Sequence, residues 1–368
     1  MAASLPTQRS RLKPGALIRD TYTVVELLGS GRFADAYLVR HRFMGMQVMK
    51  LLVDGLSDED RSDGLREAFL LSKIAHEGII RVFDANHVDL KHGGHPYITM
   101  DHASAGTLEG LLGNCSGGLR MDAALDFGRQ IADALAHAHR MDPPLVHRDI
   151  KPGNILFEPN ATGDLKVKIG DFGLAMRVDR LLNLVSSGGT IMYMSPESFR
   201  GYETPASDVY SAGLVLYEML IGAMPYPRHI FDGAEKATEI QRRLSEHQKI
   251  GFHPPSYFDG GITRDVDSVV MRALHHDETR RFQNGEELLH AIMACEHVQR
   301  SPDREQIESD HGSMLDDIFA QVSRSEDIDG AVHRLDHAMD EHPELVCAYL
   351  PHLRQLRVQQ LRIMENGQ

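Results

Sequence analysis

Cysteine is scarce in this 368-residue chain, and its three positions, Cys115, Cys295 and Cys347, are scattered and without zinc-ligand spacing. Neither a disulfide framework nor a metal knuckle is indicated, and a reducing, cytoplasmic setting fits that usage. Positive charge is also short. The formal net charge of -14 opposes non-specific attraction to nucleic acid or anionic lipid. Met1 to Pro14 carries Arg9, Arg11 and Lys13 but lacks the apolar run of a secretory signal, so it is expected to be a loose lead-in. The most apolar long stretch, Val209 to Tyr226, is interrupted by Glu218 and suits a buried core helix better than a membrane span. Histidine is frequent, yet no His-Glu-x-x-His occurs, and His137/His139 and His275/His276 lack the i, i+4 pairing of a helical metal site. Satisfied or solvated histidines are therefore expected. No internal repeat or low-complexity tract is present.

The length exceeds one ordinary core, which favours two lobes and an appendage. Tyr22 to Leu28, Ala36 to Arg40 and Gln47 to Leu52 carry the β-branched and aromatic patterning of strands, the first two around a glycine turn. Apolar residues Leu65, Phe69 and Ile74 predict a helix within Asp58 to Ala75. Val82 to His87 and Pro96 to Met100 add two strands across a His/Gly-rich turn at Lys91 to His95. Beyond Gly106 the pattern becomes helical, clearest over Met121 to Arg140, then Ile262 to Leu274 and Gly285 to Glu296. Two short strands flank Asp164. Leu174 to Thr190 has no clean period and predicts a loop. Ser301-Pro302-Asp303 opens a polar linker, followed by amphipathic patterns within Met314 to Ile363.

The stretch Val146-His147-Arg148-Asp149-Ile150-Lys151-Pro152-Gly153-Asn154-Ile155-Leu156, followed by Asp171-Phe172-Gly173, concentrates chemistry. Asp149 can orient a substrate hydroxyl, while Asn154 and Asp171 can hold magnesium ions that bridge and neutralise the phosphates of ATP. These residues resemble the catalytic and metal-binding loops of the eukaryotic-like, Hanks-type serine/threonine protein kinases, in their soluble bacterial form, over roughly residues 20 to 298.

The resemblance implies an α+β fold, bilobal, with a small antiparallel β-rich N-lobe, a larger helical C-lobe and a C-terminal helical extension. The expected divisions are a lead-in over 1–20, a kinase domain over 21–298 with its lobes meeting at 103/104, a linker over 299–312 and helices over 313–368. Gly29-Ser30-Gly31-Arg32-Phe33-Ala34 resembles the glycine-rich loop over the phosphates, with Ala34 in place of the third glycine. Two glycines in a hairpin are, taken alone, an ordinary turn. Lys50 matches the lysine on the α and β phosphates and Glu67 the glutamate that holds it. Ala36 and Val48 would form the adenine ceiling, with their volumes exchanged relative to the family. Met100, the backbone of Asp101 to Ala103, and Leu156 would complete the adenine pocket, although a methionine in an ordinary strand is the plain alternative for Met100.

By the same resemblance Asp149 is the base, and Lys151, the serine/threonine form of the loop, stabilises the transferring phosphoryl group. Asn154 and Asp171 bind Mg²⁺, with Mn²⁺ as an alternative ion. Glu197 of Ser195-Pro196-Glu197 pairs with Arg281, and Asp208 braces the catalytic-loop backbone. Arg148 suggests control by a phosphate at Ser186, Ser187 or Thr190, of which Thr190 also matches a threonine that bonds Asp149 and Lys151. The expectation is a protein kinase using ATP on Ser/Thr acceptors. A nucleotide-binding pseudokinase scaffold, supported by the Ala34, Ala36 and Val48 departures, and a small-molecule kinase of similar fold are the rivals. The C-terminal helices carry no catalytic constellation, and their apolar stripes suit packing on the kinase lobe or on a protein partner equally.

Overall fold

A computed structural model describes residues 11–31, 34–52, 72, 74–90, 93–115, 117–160, 164–172, 190–227, 230 and 237–299. Glu67, Ser186, Ser187, most of the helix expected over 58–75, and the extension over 313–368 lie outside the described residues.

The N-terminal lobe is one antiparallel sheet of β1 (Leu17–Ile18), β2 (Tyr22–Ser30), β3 (Ala34–His41), β4 (Gly45–Leu52), β5 (Val82–Leu90) and β6 (Gly93–Asp101), in the order β1-β2-β3-β4-β6-β5. Its register follows from period-two patterning. Tyr37 and Val39 of β3 and Met49 and Leu51 of β4 point to one face, where they pack with Leu12, Ile18, Tyr22, Val24 and Tyr97. The opposite face carries Ala36, Val48 and Lys50, with Ala36 directly across from Lys50 and Leu38 across from Val48. Polar tips in the first cluster are bonded, as buried tyrosines require. Tyr22 and Tyr97 both donate to Asp84 Oδ2, at 3.3 and 3.2 Å.

The end of the lead-in is not loose. Leu12 is buried, and its backbone N–H donates to the Tyr37 hydroxyl at 3.2 Å, so the chain from Arg11 closes over apolar sheet surface that would otherwise face water. The pairing of β5 with β6 also runs further than expected, because β6 already starts at Gly93 and pairs it with Leu90.

The C-terminal lobe comprises α1 (Leu108–Gly113), α2 (Met121–His139), the two-stranded antiparallel pair β7 (Ile155–Pro159) and β8 (Leu165–Ile169), then α3 (Pro205–Ile221), α4 (Ala237–Ile250), α5 (Arg264–Ala273) and α6 (Gly285–Gln299). Helix α3 is the hub. It is buried almost all round, through Val209, Tyr210, Leu214, Val215, Leu216, Tyr217 and Met219, as an apolar helix without a polar face must be. Its ends are specified locally by a Thr204/Ser207 capping box, Pro205 in the first turn and Gly222 in the left-handed conformation. The start of α6 lies against α2 so closely that a Cβ on Gly285 would sit 2.3 Å from the backbone nitrogen of Ala136. Among the described residues no helix is long and apolar enough to cross a membrane.

The lobes share one core. Ile79, Ile80, Val82, Ile98 and Met100 pack with Ile155, Ile169 and Phe172, and the Ile80 N–H donates to the carbonyl of Ile169 at 3.0 Å. This junction places β4 opposite the loop that follows β8.

Candidate active site

The loop from His147 to Asn154 has little regular structure, so its shape must come from side-chain bonds. Asp208, in the first turn of α3, supplies two of them. Its Oδ2 accepts from the N–H of His147 at 2.6 Å and its Oδ1 from the N–H of Arg148 at 2.7 Å. His139, at the end of α2, contacts the same carboxylate through Nε2 at 3.0 Å, while its Nδ1 accepts from the N–H of Gly285. Burial pushes the Asp208 carboxyl up, but the His139 bond and the nearby imidazoles outweigh it and hold the group below its usual range.

His147 is fully buried and links this loop to the next. Its Nε2 lies 2.9 Å from the carbonyl of Gly170, its Nδ1 accepts from the N–H of Asp149, and its ring packs on Phe172 at 4.4 Å between centroids. Burial lowers the pKa of its imidazole, which agrees with a neutral ring that donates at one nitrogen and accepts at the other. Arg148 and Asp171 both adopt left-handed backbone, with φ of 73° and 60°. Such strain in non-glycine residues persists only where surrounding bonds over-determine it, and the bonds to Asp208 and His147 do so here.

Two side chains make three bonds to Asp149. Lys151 Nζ donates to its Oδ2 at 2.8 Å, and Asn154 Nδ2 donates to its Oδ2 at 2.9 Å and to its carbonyl at 2.7 Å. Facing them, Lys50 reaches from β4 to donate to Asp171 Oδ1. Burial pushes the Asp171 carboxyl up, yet the Lys50 ammonium prevails and keeps it low, so it stays ionised at neutral pH. Asp149, Lys151 and Asn154 form one bonded group and Lys50 and Asp171 another, and the Gly170 N–H donating to the Asn154 carbonyl at 2.8 Å ties the two loops together.

The nucleotide-side expectations are placed as follows. Ala36, Val48 and Lys50 share one sheet face. Met100 and Ala103 are buried on the segment joining the lobes. Leu156 approaches so near that its Cδ1 would lie 2.7 Å from a Cβ on Gly170. Gly29 and Ser30 end β2 opposite Ala36 and Asp35, and Gly31 N–H donates to the Ala34 carbonyl. Asp101 departs from the simple expectation, because its N–H donates to the Arg81 carbonyl and its carboxylate faces Lys168 at 3.5 Å. Of this segment's backbone N–H groups, the one on Asp101 is therefore already committed.

Glu197 and Arg281 form the expected buried pair, at 2.7 and 2.9 Å through both guanidinium nitrogens. Ser207 Oγ adds a bond to Glu197 Oε1 at 2.6 Å. Thr190 opens a single 3-10 turn, Thr190–Tyr193. Sequence reasoning missed His139, Ser211 and Glu203. Ser211 on α3 donates to the carbonyl of Tyr193 at 2.7 Å, and Glu203 lies 3.6 Å from the Arg148 Nε.

Among the described residues no group of three or more His, Cys, Asp or Glu could hold a metal by itself. The donors present are the Asp171 carboxylate and the Asn154 amide oxygen, whose nitrogen is committed to Asp149. A sparse, all-oxygen set suits Mg²⁺, which keeps several waters and takes further ligands from phosphates.

The sequence model of the family described as Protein kinase domain matches residues 22–297. The chain is 30% identical over 285 residues to serine/threonine-protein kinase PknB of Mycobacterium tuberculosis, covering 74% of this chain and 42% of that protein. It is 29% identical over 314 residues to PknB of Mycolicibacterium smegmatis, covering 81% and 47%. The chain thus spans less than half the length of these curated relatives. Among solved structures, the PknI kinase domain of Mycobacterium tuberculosis is similar with a TM-score of 0.57 at 25% identity, over 77% of this chain and 99% of that one.

Proposed function

Because the chain belongs to the protein kinase domain family over residues 22–297, we propose that it transfers the γ-phosphate of ATP to Ser or Thr hydroxyls of proteins, with Mg²⁺ as the metal. The observation that carries this reading is the arrangement around Asp149, a carboxylate fixed by Lys151 and Asn154 and facing the Lys50–Asp171 pair. In this mechanism one Asp149 oxygen accepts the proton of the acceptor hydroxyl as the hydroxyl oxygen bonds to the γ-phosphorus. The bond from phosphorus to the bridging oxygen breaks, and ADP leaves with the electron pair. Lys151 balances the charge on the transferring group, and Lys50 holds the α and β phosphates. Asn154 and Asp171 would hold the metal, which would neutralise phosphate charge.

Lys151 and the Ser195-Pro196-Glu197 segment support a protein acceptor over a small molecule. Arg148 supports regulation by a phosphate at Ser186 or Ser187. The decisive experiment is transfer of labelled γ-phosphate from Mg-ATP to the purified chain and to a generic basic protein, with Asp171→Asn as blank. Label on Ser or Thr that disappears in the blank is expected. Asp149→Asn should lower turnover by on the order of 10² to 10⁴ and leave ATP affinity nearly intact. ATP binding without transfer in the parent would overturn the reading in favour of a nucleotide-binding scaffold.

A further inference from the structure

Helix α4 carries a buried amide where an apolar side chain would be expected. Among its described side chains only Leu244 and Gln248 are fully buried, and their i, i+4 spacing sets them on one face. A glutamine is unfavourable on such a stripe unless its polar atoms are bonded. Gln248 Nε2 donates to the carbonyl of Met194 at 2.9 Å and to the hydroxyl of Tyr226 at 3.2 Å, whereas its buried Oε1 has no partner. The side chain is used for its donor alone. Its target immediately precedes Ser195-Pro196-Glu197.

The adjoining backbone is held with the same care. Ser211 of α3 bonds the carbonyl of Tyr193, the Tyr193 hydroxyl donates to Glu218 at 2.6 Å, and Gln241 of α4 donates to the carbonyl of Phe199 at 3.2 Å. Two consecutive carbonyls, at 193 and 194, are therefore clamped from two helices. Tyr193 and Met194 are also walls of a water-sized cavity of about 10 Å³ whose other lining includes Arg148, Asp149 and Ile150. The clamp ends beside Asp149. None of its bonds reaches Ala36, Val48, Lys50 or Met100 on the nucleotide side.

We propose that Gln248 is a positioning residue for the protein acceptor. By fixing Met194 it sets the wall beside Asp149 against which the acceptor backbone lies, and it makes α4 part of the acceptor site. The inference rests on the kinase reading above. It predicts a split between the two substrates, since a displaced Met194 disturbs the acceptor and leaves nucleotide contacts alone.

The test is Gln248→Leu in the full chain, assayed for the KM of a peptide acceptor, the KM of Mg-ATP and ATP hydrolysis without acceptor. Loss of one bond of this kind corresponds to roughly a tenfold rise in acceptor KM, with ATP KM and acceptor-free hydrolysis within about twofold of the parent. Amide exchange over residues 190–197 should quicken without a general loss of protection. Should the leucine variant fail to fold, Gln248→Met keeps length and removes the donor. Where the parent does transfer phosphate, a comparable impairment of acceptor KM, ATP KM and acceptor-free hydrolysis in the variant, or an unchanged acceptor KM, overturns the role of Gln248. A parent that transfers no phosphate overturns the kinase reading instead, and the clamp's catalytic role with it.

Discussion

Arg281 and Glu197, 84 positions apart in sequence, meet as a two-pronged ion pair that is almost wholly withdrawn from water, with side-chain exposures of 0% and 2%. Arg281 also donates to the carbonyls of His275, His276 and Ala206 and lies over the Tyr210 ring. Removing either partner leaves the other charge buried and unpaired. Arg281→Met and Glu197→Gln should each cost roughly 3 to 5 kcal/mol, measured by urea unfolding. The double variant should cost clearly less than the sum, because no charge is then stranded. Additive losses would show that the two groups act independently.

That pair was legible because both partners sit in contiguous motifs, and the same holds for Asp149, Asn154 and Asp171. Strands were legible where alternation is strict, as in β3, whose Tyr37 and Val39 face one way and Ala36 the other. Strand β1, Leu17–Ile18, is too short to show a period. Helix α4 was not foreseen, because with Leu244 and Gln248 as its fully buried side chains it has no continuous apolar stripe. His139, Ser211 and Gln248 escaped for another reason. Each bonds a group 69, 18 or 54 positions away, and no local pattern encodes such a contact.

The contact of Asp208 with the N–H groups of His147 and Arg148 makes it a stability and a shape determinant together. Asp208→Asn retains one acceptor where two N–H groups and His139 compete, so activity should fall more steeply than nucleotide affinity. His147 adds a pH dependence. Its folded pKa is depressed by burial, so below its unfolded value near 6.5 the unfolded chain binds more protons than the folded one. Stability contributed by the neutral ring is therefore present above about pH 6.5 and is lost as pH falls, a loss read between pH 7.5 and 5.5. His147→Gln should be less stable at both pH values but lose less between them. Equal losses in parent and variant would remove His147 as the titrating group.

Arg148 faces Glu203 at 3.6 Å, with its side chain about one-third exposed. A phosphate carries more charge than a carboxylate and accepts paired guanidinium bonds. If a phosphate on Ser186 or Ser187 governs activity, it must win Arg148 from Glu203. Glu203→Gln should therefore enlarge the activation produced by loop phosphorylation, read as the ratio of kcat/KM for phosphorylated over phosphatase-treated protein. A ratio unchanged by the substitution would sever Glu203 from regulation, and an unmodified loop in fully active protein would remove the phosphosite itself.

Ala36 and Val48 lie on the sheet face that carries Lys50, Ala36 directly opposite that lysine and Val48 two residues before it on β4. Diagonal neighbours of this kind bound one surface without filling each other's space, so a small residue at 36 and a larger one at 48 can together present the same ceiling volume as the reverse pair. Ala36→Val alone overfills that surface and Val48→Ala alone empties it. Each should weaken binding of a non-hydrolysable ATP analogue by on the order of 1 kcal/mol, or several-fold in Kd. The double exchange restores total volume and should return the affinity close to the parent value, because well-packed surfaces tolerate changes that conserve volume. Titration calorimetry on the four proteins decides the matter. Strictly additive changes would mean that the two side chains meet the base separately and share no compensation.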